Sequence, residues 1–504
     1  MSRRLVLALD QGTTSTRCLV FDSHGQMVSI AQREHHQHYP QPGWVEHDAL
    51  EIWALARRVI MQALSDVEAE AAEVVGLGIT NQRETTVIWD RTTGIPAHRA
   101  IVWQDTRTAD LLTRFAAEMP EAEIRSRTGL PLATYFSAPK VRWLLEARPE
   151  LAEGLGSGRL VFGTIDTWLV WNMTGGVHGG RHLTDATNAS RTMLMDLDTL
   201  SWDPELLALA RLPAAALPEI VPSIGAGPLT VDPVPGIPIA AIIGDQQASL
   251  FGQTAFDAGD AKCTFGTGSF LLLNTGTDLV RSEHGLISTI AHLTQGEKPV
   301  YALEGAVATT GALVQWCRDS LGLIRTPAEI ETLAAGVADN GGCYVVPAFS
   351  GLFAPFWDPN AQGIIVGLTS YIRKGHIARA VLDSTAWQTR DLLDAMNAEA
   401  GVAARGLTVD GGMTSNNLLM QTMADVLDVP VVRPKMAETV ALGAAYAAGL
   451  SVGLWPDRDA LRGKWQPAAV WRPAIDPQRR EAELLRWRAA VRLSREWGRH
   501  STAP

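Results

Sequence analysis

Leu5-Val-Leu-Ala-Leu-Asp10-Gln-Gly-Thr-Thr-Ser-Thr-Arg17 decides how this chain is read. Five apolar residues end in a carboxylate, glycine and hydroxyls follow, and an arginine leads into a second apolar run at 18–21. The pattern predicts a buried strand, a tight turn and a returning strand. Such a turn offers backbone N–H groups and hydroxyls to an anion, and Asp10 beside it is able to hold a cation. Donors next to a carboxylate suit a magnesium-bound polyphosphate. A hairpin tip that is merely polar fits the same residues equally well, because short motifs match by chance.

Working outward, strand-like runs alternate with helix-like segments. Residues 74–79 read as a strand with 85–89 returning after a polar turn, 160–162 lead into an apolar stretch at 167–171, and 237–243 form a buried strand ending at Gly244-Asp245. Runs at 261–265 and 270–274 flank Gly266-Thr267-Gly268-Ser269, a second strand-turn-strand. Residues 407–409 end at Asp410-Gly411-Gly412, and Leu418, Leu419, Met423, Val426 and Leu427 then recur at helical spacing. A strand at Val431 and Val432 precedes a helix of small residues opened by Glu438, and 478–497 read as a charged amphipathic helix that covers a surface. The alternation predicts an α/β protein. The two donor-rich turns predict two related halves, 1–253 and 254–504, divided near Gln253 after a helix that begins at Asp245.

A length of 504 residues exceeds what one hydrophobic core supports and agrees with that division. The net charge of −11 argues against a nucleic-acid or membrane-surface partner. Cys18, Cys263, Cys317 and Cys343 show no CxxC spacing and read as reduced, partly buried thiols of a cytoplasmic protein. The apolar run before Asp10 is too short for a signal peptide, and no run approaches the roughly 20 residues of a membrane span. His35, His36 and His38 lack a fourth ligand at zinc spacing and read as a solvated face. No P-loop, GxGxxG, HExxH or GxSxG motif occurs.

Asp245 stands at the carboxyl end of a buried strand, where open α/β sheets place ligands; it also precedes a helix and could be an N-cap, but the buried apolar approach and the neighbouring Gln246 and Gln247 favour the ligand role. Arg83 and Glu84, in Asn81-Gln-Arg-Glu-Thr85, read either as a surface ion pair or as donor and acceptor for a polyhydroxy ligand. Trp103 reads as core or as an aromatic platform; most of the 16 tryptophans must be structural.

These residues resemble, nearly end to end, a carbohydrate kinase family whose fold is shared with actin, hexokinase and heat-shock chaperones. The resemblance rests on Ala8-Leu-Asp-Gln-Gly-Thr-Thr-Ser15, Pro42-Gly-Trp-Val-Glu-His-Asp48, Ile79-Thr-Asn-Gln-Arg-Glu-Thr85, Ala100-Ile-Val-Trp-Gln104 and Asp185-Ala-Thr-Asn-Ala-Ser-Arg-Thr-Met193. Gly244-Asp-Gln-Gln247, Phe265-Gly-Thr-Gly268, Ala302-Leu-Glu-Gly-Ala306, Tyr344-Val-Val-Pro-Ala-Phe349, Asp410-Gly-Gly412 and Ala441-Leu-Gly-Ala-Ala-Tyr446 continue it in order. It implies two ribonuclease H-like (actin-like ATPase) domains, each a mixed sheet flanked by helices, with a catalytic cleft between them. The implied activity is ATP-dependent phosphorylation of glycerol to sn-glycerol 3-phosphate, with Mg2+ and with glycerol as the small-molecule partner.

Position by position, the resemblance makes Asp10 the magnesium-side carboxylate. Thr13, Thr14, Ser15 and Arg17 match the first phosphate turn, and Thr267 matches the second. Gly311, Gln315, Gly412 and Asn416 match the nucleotide site. Arg83, Glu84, Tyr135, Asp245 and Gln246 match the glycerol set, and Trp103 with Phe270 matches the aromatic pair against its carbons. Asp245 would be the general base. Relatives are often dimers or tetramers, so a homodimer or homotetramer is expected.

The chain departs from the family pattern at Phe353, where glycine is usual, at Met413, where alanine is common, and at Val231-Asp-Pro-Val-Pro-Gly236. That last loop lacks the glycine-rich, arginine-containing pattern with which some relatives bind fructose 1,6-bisphosphate, so weak or absent inhibition is expected. Other readings are a kinase of another small polyol or triose (dihydroxyacetone, erythritol) and a catalytically silent nucleotide-binding scaffold. The Trp103/Phe270 pair with Arg83-Glu84 speaks against the first, and the presence of both Asp10 and Asp245 against the second.

Overall fold

The computed structural model describes residues 3–501. The opening apolar run is strand β1 (Leu5–Gln11), buried throughout, and it turns through Gly12 into β2 (Ser15–Asp22), which continues to β3 (Met27–Glu34). Gly12 N–H closes the turn on the Ser15 carbonyl at 2.9 Å. β1 also pairs in parallel with β4 (Val74–Asn81), and β4 with β5 (Ile239–Gly244), giving the order β5-β4-β1-β2-β3. Their register sets Gln11 opposite Asn81 and Asn81 opposite Gly244. Because all three run the same way, their carboxyl ends reach one edge together. That edge carries Asp10, the 81–85 motif and Asp245, where ligands of parallel sheets bind.

The second turn repeats the first. β6 (Ala261–Phe265) and β7 (Ser269–Gly276) pair antiparallel, and Gly266 N–H donates to the Gly268 carbonyl at 2.9 Å. With β8 (Ile287–His292), β9 (Val300–Val307), β10 (Leu407–Asp410), β11 (Val431–Pro434) and β12 (Pro467–Trp471) they form a sheet ordered β8-β9-β7-β6-β10-β11-β12. β10 runs parallel to β6 with Asp410 opposite Thr264, so Asp410-Gly411-Gly412 emerges beside the second turn.

One expectation fails in its pairing. The strand after the polar turn, Val87–Asp90, does not return along β4 but pairs with Leu160–Gly163. The 81–85 segment is therefore no hairpin tip. It crosses the edge of the sheet, with Glu84 in the left-handed region at φ 62°.

One face of the first sheet is covered by α1 (Ala49–Ser65), whose Asp48 accepts from the N–H groups of Leu50 and Glu51 and so caps it, and by the buried tryptophans Trp89, Trp168 and Trp171. The other face is filled from the distant end of the chain. Later helices of the chain include α2 (Asp245–Gly252), α3 (Gly311–Asp319), α4 (Lys374–Ala400), α5 (Asn417–Leu427) and α6 (Thr439–Ser451). Ala441, Ala444, Ala445 and Ala448 of α6 pack on Val6, Ala8 and Ile243, and α6 crosses α2. The alanines and glycines are required by proximity. A Cβ on Gly78 of β4 would sit 2.1 Å from the Ala444 carbonyl oxygen, and one on Gly443 would sit 1.7 Å from that of Ala248. Gly443→Ala is therefore expected to force the two helices apart and cost about 2–4 kcal/mol, read as a lower unfolding midpoint in denaturant with an unchanged slope.

The second sheet packs against α4 and α5, and the closing helix α7 (Pro477–Ser501) docks on α4, where Trp487 donates to Asp391, and buries Leu484, Trp487, Ala490 and Val491 as its periodicity predicts. The four cysteines are free and all buried, more deeply than the composition implied. The histidine run is not one solvated face. His36 is exposed and bonds Glu51 at 2.7 Å, but His35 is buried edge-on against His47 with ring centroids 4.6 Å apart. The chain leaves β3 before His35, so strand alternation no longer governs its direction.

Candidate active site

The first turn presents half-buried Thr13 and Arg17 and exposed Thr14, while Ser15 is buried and accepts from Gln32. Asp10 is 3 % exposed, 3.1 Å from Arg17 Nε, and Arg17 in turn reaches Glu438. Burial pushes the Asp10 carboxyl up to about 6 against the pull of Arg17, and Asp245 and Glu438 add to the push. Arg17 thus serves two carboxylates, Asp10 and Glu438, with Asp245, held by Arg83, close enough to Asp10 to act on it. The buried Asp10 carboxylate, with Glu438 beside it, offers hard oxygens, a fit for a divalent cation that keeps its other positions for phosphate and water.

Arg83 and Glu84 are not a surface pair. Both are buried, and their closest approach is 3.9 Å. The Arg83 guanidinium spans Asp245 (Nε to Oδ1, 3.2 Å) and Glu304 (Nη1 to Oε2, 2.6 Å; Nη2 to Oε1, 3.2 Å). Arg191 donates to Glu84 at 2.7 Å and to Glu304 at 3.0 Å, and lies over the Tyr135 ring at 5.5 Å. Burial resists ionisation of Glu304, but Arg191 and Arg83 outweigh it and hold its carboxyl down at about 2. Glu84 goes the other way, raised by burial that its arginines only partly offset.

Asp245 is the first residue of α2, with Gly244 at the cap position, so the N-cap alternative does not hold. Its Oδ1 takes both Arg83 Nε and the Gln246 N–H at 2.7 Å, which leaves Oδ2 to take a proton. Gln246 is oriented by the buried Lys262, which donates to its Oε1 and to Thr264 Oγ1. Trp103 lies edge-on to Tyr135 (centroids 5.5 Å) and to Phe270 (6.1 Å), and its indole N–H donates to Thr13 Oγ1 at 2.9 Å. All seven residues of the expected polyol set therefore stand together, and Trp103 joins them to the first phosphate turn. Lys140, buried with its ammonium pushed down to about 7, donates to the carbonyls of Thr134, Tyr135 and Phe136 and holds the Tyr135 loop.

The nucleotide set gathers on the second sheet. Gly311 N–H bonds the Gly266 carbonyl at 3.1 Å, and a Cβ there would come within 2.4 Å of that oxygen and 3.5 Å of Met413 Sδ. The second turn, the start of α3 and the 411–413 segment are therefore in contact. Thr267, Gln315 and Gly412 are exposed around this junction, while Asn416 caps α5 through Oδ1 to Leu419 N–H. Phe353 stacks on Trp357 (5.8 Å, 9°), and both rings are partly exposed.

Glu304, Arg191, Lys262 and Asp410 also build the site, although no motif in the sequence assigns them a role there. Each interrupts an apolar or small-residue run, the signal that a charge is being buried for a reason. Asp410 Oδ2 accepts from Ser249, Gln253 and Thr439 and pins α2 and α6 to β10.

Two sheets, each with a donor-rich hairpin turn at the same edge, and a carboxylate-lined junction between them define an actin-like phosphotransferase fold. The chain belongs to the FGGY family of carbohydrate kinases: the family's N-terminal domain matches residues 5–252 and its C-terminal domain 261–452. It is 55% identical to "Glycerol kinase 2" of Streptomyces avermitilis, covering 98% of both chains, and 55% identical to the glycerol kinase of Chloroflexus aggregans, covering 97% of this chain and 98% of that one. Among solved structures it is similar to Plasmodium falciparum glycerol kinase with ADP, at TM-score 0.93 and 37% identity over 98% of both chains.

Proposed function

We propose that this kinase transfers the γ-phosphoryl group of ATP to glycerol, forming sn-glycerol 3-phosphate. The observation that carries the reading is the cluster Arg83, Glu84, Trp103, Tyr135, Asp245, Gln246 and Phe270 at the carboxyl edge of the first sheet, joined through Trp103 to the first phosphate turn. A three-carbon polyol needs a donor and an acceptor for its hydroxyls and an apolar wall for its carbons, and these residues supply each.

Asp245 Oδ2 takes the proton of the terminal hydroxyl as that oxygen attacks in line. Arg83, on Oδ1, fixes the carboxylate while the base acts. Arg17, Thr13, Thr14, Ser15 and the N–H groups of both turns stabilise charge on the phosphoryl oxygens. Gly311, Gln315, Gly412 and Asn416 hold the nucleotide. Asp10 would hold Mg2+, which when bound neutralises phosphate charge. Most of the rate comes from positioning, and apposition of the two halves, 1–253 and 254–504, excludes water as a competing acceptor.

Among the described residues no helix is long and apolar enough to cross a membrane, and the reading places the enzyme in the cytoplasm, self-associating as a dimer or tetramer. A coupled assay with ATP over glycerol, dihydroxyacetone and erythritol tests it. Glycerol is expected to give the highest kcat/KM; preference for another acceptor, or no turnover, overturns it. The loop at 231–236 offers Asp232, paired with Arg57 at 3.1 Å, in place of an arginine. Fructose 1,6-bisphosphate is therefore expected to inhibit weakly or not at all, and strong inhibition at physiological concentration refutes that expectation.

A further inference from the structure

Glu304 is fully buried on β9, in the second sheet, yet among the described residues its carboxylate bonds only Arg83 and Arg191 of the first half. Its Oε2 takes Arg83 Nη1 and its Oε1 takes Arg83 Nη2 and Arg191 Nη2. Both oxygens and two guanidinium forks are thereby committed, a geometry only a carboxylate of this reach satisfies. The consequence falls on Glu84. Held by Glu304, Arg83 stays 3.9 Å from Glu84 and directs Nε to Asp245 instead. Arg191, held by the same carboxylate, takes only Oε1 of Glu84. Glu84 therefore keeps its second oxygen for a substrate hydroxyl, although two arginines lie beside it.

We propose that Glu304 is a positioning residue of the polyol site, donated by the second half. By anchoring Arg83 and Arg191 it keeps Glu84 and Asp245 open to the polyol and makes the polyol grip depend on the two halves being docked. Without it, two buried guanidiniums would share Glu84 and Asp245, and the acceptor that binds the polyol would become an ion-pair partner. This rests on the glycerol reading above.

The test is Glu304→Asp, which keeps the charge but shortens the arm so that it cannot span both arginines. The KM for glycerol is expected to rise about 10- to 100-fold, the range for a lost charge-assisted hydrogen bond, with the KM for ATP nearly unchanged and, because a buried guanidinium loses its partner, a lower thermal midpoint. An unchanged glycerol KM overturns the proposal, and so does an equal rise in both KM values, which marks a merely structural role. If Glu304→Asp does not fold, Arg191→Lys replaces it. Lysine cannot bridge Glu84 and Glu304 in this geometry, so the same selective rise is expected, and its absence overturns the proposal. Wild-type enzyme inactive on glycerol overturns the functional reading and this proposal together, whereas active wild type with an unaffected variant overturns the proposal alone.

Discussion

Asp245→Asn is expected to lower kcat by about 10³-fold or more while nucleotide affinity stays within about twofold of wild type. Asparagine preserves the shape of the side chain and can still accept from Arg83 Nε and the Gln246 N–H, the two contacts that fix Oδ1. What it cannot do is take the proton that leaves the attacking hydroxyl. Asp245 begins a helix whose remaining residues are buried between the sheets, and the substitution leaves that packing untouched. Initial rates with ATP and glycerol, set beside an equilibrium titration with nucleotide, separate the two effects. Turnover retained within about tenfold would remove Asp245 from the role of base. Turnover and nucleotide affinity lost together would mean that the helix, and not the proton transfer, had been damaged.

Asp10→Asn is expected to move activity and stability in opposite directions. Losing the carboxylate proposed to hold Mg2+ should cut magnesium-dependent turnover by about 10²-fold or more. The nucleotide-free protein should nevertheless become more stable at pH 8. The folded carboxyl titrates at about 6, above its ordinary 3.8, so the folded state binds this proton more tightly than the unfolded chain does. The favourable contribution is therefore complete below pH 3.8 and is lost as pH rises through about 6. At pH 8 the ionised, buried group costs about 2–3 kcal/mol, which an amide does not incur. Denaturant unfolding of both proteins at pH 8 and pH 4 checks this: the variant's advantage should be present at the first and nearly gone at the second. An Asp10→Asn protein less stable than wild type at pH 8 would show that the Arg17 pair outweighs burial. The conflict between stability and function is the one expected where an ion and its phosphates complete a site.

Much of this was legible in the chain because it depends on local pattern. Period-two and fully apolar runs gave β1, β2, β4 and β5, and turn chemistry marked Gly12 and Gly266 as paired hairpin tips. Strand ends then pointed to Asp10, the 81–85 motif and Asp245. Pairing partners were not legible. Val87–Asp90 runs along Leu160–Gly163 because the cover of α1 and the tryptophans lies on that side of the sheet, and nothing within residues 85–89 records it. The burial of His35 is likewise non-local, since it depends on its contact with His47.

The sequence by itself determined that this is an α/β protein with two donor-rich turns, and which carboxylates stand at strand ends, since hydrophobic periodicity and glycine placement act over a few residues. Only the tertiary structure decided that the Ala/Gly-rich α6 covers the first sheet, at a spacing that forbids a Cβ on Gly78 or Gly443. It also decided that Glu304, more than 200 residues from Arg83, bonds both Arg83 and Arg191. Ion pairs and close helix crossings join residues far apart in the chain, and their strength comes from burial, which exists only once both sheets are packed.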